Sequence, residues 1–216
     1  MKIFVAPSIL SADFSIMGEE IKKITDCGAD MIHCDVMDGV FVPNITFGPK
    51  MVKDIRKYTS LPLDVHLMIV EPIKYLKAFV LAGADYITVH YEACSDVRKT
   101  LEQIRNLGVK SGLVISPDTD AMVVEEFLPL CDMVLVMSVY PGFGGQKFIP
   151  ASISKLEKIS AMIKKINPSI RLEIDGGINK ETAREVIKAG ADTIVAGSAV
   201  FGAQDITQAI KEIKEA

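Results

Sequence analysis

The stretch PIKYLKAFVLAGADYITVH, residues 72–90, carries the signal that decides the fold. Residues 72–82 set apolar side chains at helical spacing. Residues 86–90 are nearly continuously apolar, as in a parallel strand covered on both faces. Gly83-Ala84-Asp85 stands between them, with Gly83 where a helix would end in a left-handed cap. The same triplet recurs as Gly28-Ala29-Asp30 and Gly190-Ala191-Asp192, each between a helix-like stretch and a strand-like run. The offsets, 55 and 107 residues, are close to one and two steps of a common period. Leu130-Cys131-Asp132 occupies a similar junction in the gap. A period near 54 fits two strand–helix units of about 27 residues, one eighth of the chain.

Outward from that stretch, strand candidates lie at residues 3–9, 31–36, 63–68, 86–90, 111–115, 133–138, 171–174 and 193–196. Amphipathic helical segments separate them, for example at 72–82, 95–107, 151–166 and 180–189. Eight alternations predict a parallel α/β sheet with right-handed crossovers. An open, dinucleotide-binding sheet would carry GxGxxG after its first strand, and none stands there. The even repeat instead predicts a single (β/α)8 TIM barrel over residues 1–216, lean for its class.

Composition limits the function. The chain has 24 Lys+Arg against 28 Asp+Glu, a net charge of −4, which argues against nucleic acid as the main partner. Hydrophobic residues are 49% and charged residues 24%, as in a folded globule. No apolar run approaches the roughly 20 residues of a membrane span, and MKIFVAPSIL is too short a run for a secretory leader. The four cysteines, Cys27, Cys34, Cys94 and Cys131, contain no CxxC pair. They read as reduced thiols in a cytoplasmic protein.

In a barrel, function gathers at the C-terminal ends of the strands. All three histidines fall there. The second strand ends His33-Cys34-Asp35, so alternation puts His33 and Asp35 on one face. The third ends Asp64-Val65-His66, the fourth at His90 and the seventh at Asp175. His33, Asp35, His66 and Asp175 form a His2Asp2 set that predicts a divalent metal, with zinc, manganese, cobalt or iron(II) suited to imidazole and carboxylate. His90, followed by Glu92, is expected to hydrogen-bond structurally.

Asp175-Gly176-Gly177-Ile178 and Ala196-Gly197-Ser198-Ala199 follow strands seven and eight, where barrels often bind phosphate through backbone N–H groups. Pro141-Gly142-Phe143-Gly144-Gly145-Gln146 follows strand six and suits a lid or a backbone surface against substrate. Met37, Met68 and Met137 fill the core or form an apolar cap over the metal.

The stretches APSILSADF (6–14), HCDVMDGVFVPNITF (33–47), DVHLM (64–68), VLVMSVYPGFGGQKF (134–148), DGGI (175–178) and VAGSAVF (195–201) resemble the ribulose-phosphate 3-epimerase family. They span nearly the whole chain in family order. The resemblance implies a (β/α)8 barrel with one divalent cation per subunit at His33, Asp35, His66 and Asp175, zinc foremost and iron, manganese or cobalt as alternatives. It implies a phosphosugar substrate touched by Ser8, His66, Gly142, Phe143, Gly144, Gly145, Asp175, Gly176, Gly177, Gly197 and Ser198, and a homo-oligomer of variable size. It also implies that Asp35 and Asp175 exchange a proton at C3 of D-ribulose 5-phosphate from opposite faces. The family usually has Asn where Tyr140 stands, and often Asn-Pro-x-Thr where Ser116-Pro117-Asp118-Thr119 stands. Those departures admit a hexulose phosphate such as allulose 6-phosphate as the alternative substrate. A phosphosugar decarboxylase would need a Lys at a strand end, and these ends carry none. A non-catalytic sensor would not need both carboxylates.

Overall fold

A computed structural model describes residues 2–216. The chain alternates β1 (Phe4–Pro7), α1 (Met17–Asp26), β2 (Ile32–Met37), α2 (Pro49–Arg56), β3 (Leu63–Met68), α3 (Leu76–Ala82), β4 (Tyr86–His90), α4 (Val97–Asn106) and β5 (Lys110–Ile115). A 3-10 segment, Ala121–Leu130, replaces the fifth crossover helix. Then follow β6 (Met133–Met137), α5 (Ser152–Ile166), β7 (Arg171–Asp175), α6 (Lys180–Lys188), β8 (Thr193–Ala196), α7 (Ser198–Phe201) and α8 (Ile206–Lys214).

All paired strands are parallel, in the order β1-β8-β7-β6-β5-β4-β3-β2. The remaining seam, β1 to β2, is drawn together by a parallel bridge between Ser8 and His33 and by the Asp30 N–H donating to Val5 O at 2.9 Å. The result is the nearly closed (β/α)8 barrel that the repeat predicts. Gly28, Gly83 and Gly190 end α1, α3 and α6 with φ of 93°, 102° and 110°. That conformation suits Gly, which explains the recurring triplet. The first strand stops short of the expected residue 9. The Ser8 side chain accepts from the Leu10 N–H and turns the chain into a 3-10 turn, Ile9–Ser11.

Strand alternation sorts the side chains into two layers. Outward residues such as Cys34, Val65, Ile87, Val134 and Ile174 join the helices in one large apolar core. The four cysteines are free thiols. Ala6, Met31, Met133 and Val195 pack together inside the ring. Above them the interior turns polar, with His33, Asp64, His66, Thr88, His90 and Glu173 all at 0% exposure. Among the described residues no helix is long and apolar enough to cross a membrane.

Candidate active site

Strand register builds the site. Along β2 and β3, His33 stands beside Asp64 and Asp35 beside His66. Along β6 and β7, Met137 stands beside Asp175. His33 Nδ1 lies 2.6 Å from Asp64 Oδ2, and its Nε2 lies 3.3 Å from Asp35 Oδ1. His66 Nδ1 is 3.0 Å from the same Asp35 oxygen. The Ser8 hydroxyl donates to Asp35 Oδ2 at 2.5 Å.

Facing ligand atoms of His33, Asp35, His66 and Asp175 lie within 4.8 Å of one another. His33 Nε2 is buried and has no hydrogen-bond partner among the described residues. Two imidazoles and two carboxylates, with one ring nitrogen orphaned between them, fit a divalent cation. Asp64 supports His33 from behind, as a carboxylate commonly does for a metal-bound imidazole. His33, Asp64 and Glu173 form a second compact group beneath the first, and both Glu173 carboxyl oxygens lack partners.

The two candidate catalytic carboxyls have different environments. Burial alone would raise Asp35, but the charge of His33 and the close His33 and His66 ring nitrogens hold it far below the usual carboxylate range. Asp175 is pushed up to about 7, by burial first and then by the charge on Asp35. Burial opposes charge on His33, yet Asp35 and Asp64 override it and raise its pKa. His66 is lowered, chiefly by burial. Glu173 is raised well above the usual range by burial and by the charge of Asp64.

One pocket opens over this floor. Ser8, Asp35, Met37, Met68, Met137, Gly142, Phe143, Gly144, Gly145, Asp175, Gly176, Gly177, Gly197 and Ser198 all line it. His33 and His66 do not. Both lie beneath Asp35 at 0% exposure, so His66 is the one expected substrate contact that the structure keeps from the pocket. Its two nitrogens are already occupied, by Asp35 and by His90. Met37 and Met68 pack with Val42 in a small apolar cluster, and Met137 packs with Val114, Leu135 and Val139 in another. Gly177 has φ +64°, and a Cβ there would stand 2.4 Å from the Phe148 nitrogen, so no other residue fits that turn without strain.

The glycine-rich loop after β6 is braced. Gln146 Nε2 donates to the Tyr140 and Phe143 carbonyls at 2.6 and 2.9 Å, and Asn44 Nδ2 donates to the Gly142 carbonyl at 2.9 Å. Tyr140 itself is exposed and does not line the pocket. Its hydroxyl donates to Asp118 Oδ1 at 3.0 Å. Several pocket or floor residues lie outside the expected set: Leu10 and Ser11, within the 6–14 stretch, arrive on the turn after β1, while Glu173 is an inward residue by strand alternation. His90 proves to touch the site, for its Nε2 lies 2.9 Å from His66 Nε2.

A barrel with two histidines and two carboxylates gathered at its mouth, beside glycine-rich turns after its last two strands, defines the class as a TIM-barrel enzyme with a candidate metal-assisted acid–base site. The chain belongs to the ribulose-phosphate 3-epimerase family, whose model matches residues 4–201. The chain is 53% identical over 213 residues to the ribulose-phosphate 3-epimerase of Bacillus subtilis, covering 98% of each protein. It is 51% identical over 216 residues to the chloroplastic ribulose-5-phosphate-3-epimerase of Arabidopsis thaliana, covering 98% of this chain and 76% of that protein. Among solved structures, it resembles 3-keto-L-gulonate-6-phosphate decarboxylase of Vibrio cholerae with a TM-score of 0.75 at 16% identity, covering 100% of this chain and 97% of that one. It also resembles 3-hexulose-6-phosphate synthase of Salmonella typhimurium with a TM-score of 0.71 at 19% identity, covering 100% and 97%. At those identities the likeness concerns the fold alone.

Proposed function

We propose that this protein interconverts D-ribulose 5-phosphate and D-xylulose 5-phosphate by proton exchange at C3. The observation that carries the reading is the pair Asp35 and Asp175, which approach one pocket from β2 and β7 with opposite acid strengths. From the protein's own groups alone, Asp35 is held ionised and Asp175 titrates near 7. Paired carboxyls whose environments separate their pKa values suit one base and one acid. Asp35 takes the C3 proton on one face, and Asp175 delivers a proton from the other. Ser8 holds Asp35 in place through its 2.5 Å hydrogen bond. Gly176, Gly177, Gly197 and Ser198 offer backbone to the phosphate at the mouth of β7 and β8. Met37, Met68 and Met137 present apolar surface that keeps water from the reacting carbon.

His33, Asp35, His66 and Asp175 would hold one divalent cation, with zinc foremost. That cation would polarise the C2 carbonyl and stabilise the negative charge developing on its oxygen. Of the two departures that admit a hexulose, Tyr140 faces Asp118, part of the other, rather than the pocket, which supports the pentulose. A cytoplasmic homo-oligomer working in the pentose phosphate pathway completes the reading. It rests on the family relationship.

The test is turnover in D2O. The enzyme should place solvent deuterium at C3 of the product, prolonged chelation should stop turnover, and a divalent ion should restore it. Asp35→Asn and Asp175→Asn should each lower kcat by about 10²–10⁴-fold. Epimerisation without deuterium at C3, or full activity in protein shown metal-free by elemental analysis, would sink the mechanism.

A further inference from the structure

His66 is the second residue of a buried chain of contacts that continues away from the pocket. Its Nε2 lies 2.9 Å from His90 Nε2. The two ring centroids are 5.0 Å apart and the planes differ by 26°, so the rings meet nitrogen to nitrogen, nearly in plane. His90 Nδ1 lies 3.1 Å from Glu92 Oε2. The other Glu92 oxygen accepts from the Ser116 N–H at 2.9 Å and from the Thr119 hydroxyl. Phe41 packs on His90, with ring centroids 4.7 Å apart.

A neutral imidazole has one N–H and one lone pair, so this chain can run in only two directions. A carboxylate has no proton to give. Glu92 therefore takes the His90 Nδ1–H, which leaves a lone pair on His90 Nε2. His66 must then donate from its Nε2, which leaves the lone pair on Nδ1, facing Asp35 at 3.0 Å. Run the other way, the chain would set a lone pair of His90 against a Glu92 oxygen and put a proton on His66 Nδ1, where a cation would bind. The first direction sets the His66 Nδ1 lone pair against Asp35 Oδ1 instead, a clash that a cation held between the two relieves, so the cation selects the first. Ser116 Oγ lies 3.4 Å from His90 Nδ1, a longer contact that a rotating hydroxyl makes in either sense.

We propose that Glu92 is a positioning residue that acts through His90 to fix the tautomer of His66, turning the Nδ1 lone pair toward the His33–Asp35–Asp175 cluster for metal binding. The inference rests on the metal-dependent reading above and deepens it. Glu92→Gln is the decisive change because it keeps shape and replaces one acceptor by a donor. Its carbonyl oxygen stays with the Ser116 N–H and the Thr119 hydroxyl, since turning the amide would oppose two N–H groups. The amide N–H then faces His90 Nδ1, which must become the acceptor, and the chain reverses as far as His66 Nδ1.

Two measurements test this. Side-chain 15N NMR of the zinc-loaded wild type at pH 8 should find His90 protonated at Nδ1 and His66 at Nε2, and the metal-free Glu92→Gln protein should show both reversed. Chelator competition with zinc should find about 10–100-fold weaker binding in Glu92→Gln, the usual effect of losing an outer carboxylate partner. A wild-type His90 protonated at Nε2 overturns the proposal, and so does equal zinc affinity in a folded Glu92→Gln protein. The wild-type spectrum needs no variant, so a misfolded mutant leaves the question decidable. If the wild type binds no divalent ion at all, the metal-dependent reading fails; if it binds zinc and His90 is protonated at Nε2, the role of Glu92 alone fails.

Discussion

Replacing Asp175 with Asn should make the metal-free protein more stable at pH 8 while removing its activity. An ordinary Asp titrates near 3.8, and Asp175 in the fold titrates at about 7. Burial is the largest cause, followed by the charge on Asp35. Between those two values the native chain holds a proton that the unfolded chain has lost. This group's contribution to stability therefore falls as pH rises through that window, and it stays lost above 7. At ~1.4 kcal/mol per pH unit, the ceiling is about 4 kcal/mol. Asp175 lines the open pocket, where water screens its charge, and about 1–2 kcal/mol is the working magnitude. Asn carries no charge and escapes the penalty. In a chain of this length each kcal/mol shifts Tm by about 2–4 °C, so Asp175→Asn should melt roughly 2–8 °C higher in chelator at pH 8. The advantage should shrink by more than half at pH 5, where the wild-type carboxyl is mostly protonated. Added zinc should narrow the gap at pH 8 by stabilising the wild type alone. Calorimetry at both pH values decides it. A variant that melts at or below the wild type at pH 8, or an advantage independent of pH, would refute the reasoning.

Three further outcomes follow from local geometry. Gly177→Ala forces a side chain into φ +64° and 2.4 Å from the Phe148 nitrogen, so it should cost about 2–4 kcal/mol by denaturant unfolding and raise KM more than it lowers kcat. Ser8→Ala removes the hydroxyl that donates to Asp35 at 2.5 Å, a bond to a charged group worth about 1.5–3 kcal/mol, and kcat should fall by about tenfold or more with the fold intact by circular dichroism. Tyr140→Asn should leave the ratio of kcat/KM for ribulose 5-phosphate to that for allulose 6-phosphate within about twofold of wild type, since Tyr140 contacts Asp118 outside the pocket. A tenfold change, about 1.4 kcal/mol, would return Tyr140 to the specificity argument.

The strands were legible because covered parallel strands are apolar runs and because Gly marks the turn before them. The runs at 63–68, 86–90 and 193–196 coincide with β3, β4 and β8. The first run overreached at Ser8, whose side chain caps a turn instead of continuing the ladder, a local hydrogen bond that hydrophobicity does not encode. His33, Asp35, His66 and Asp175 could be grouped from sequence because alternation gives the inward face and the barrel gives the functional end. Their partners could not. Asp64 supports His33 only because β2 and β3 pair in the register that sets those two side by side, and one residue of slip would point them to opposite faces. His90 and Glu92 stood apart in the sequence because their link to the site is a single nitrogen-to-nitrogen contact between neighbouring strands.

The placement of buried ionisable groups also argues for function. His33, Asp64, His66 and Glu173 have no exposed surface, and Asp35 has 3%. Burying such groups costs several kcal/mol each unless partners compensate, and apolar residues of similar size usually serve a core as well or better. The fold does not need them for cohesion, because the large apolar layer between strands and helices supplies that. The incomplete pairing beneath the mouth points the same way, with His33 Nε2, Asp64 Oδ1 and both Glu173 oxygens lacking partners. A floor selected for stability alone would pair these groups or replace them with Val and Leu. Orphaned polar atoms gathered under an open pocket fit the proposed cation and proton transfer at the same place.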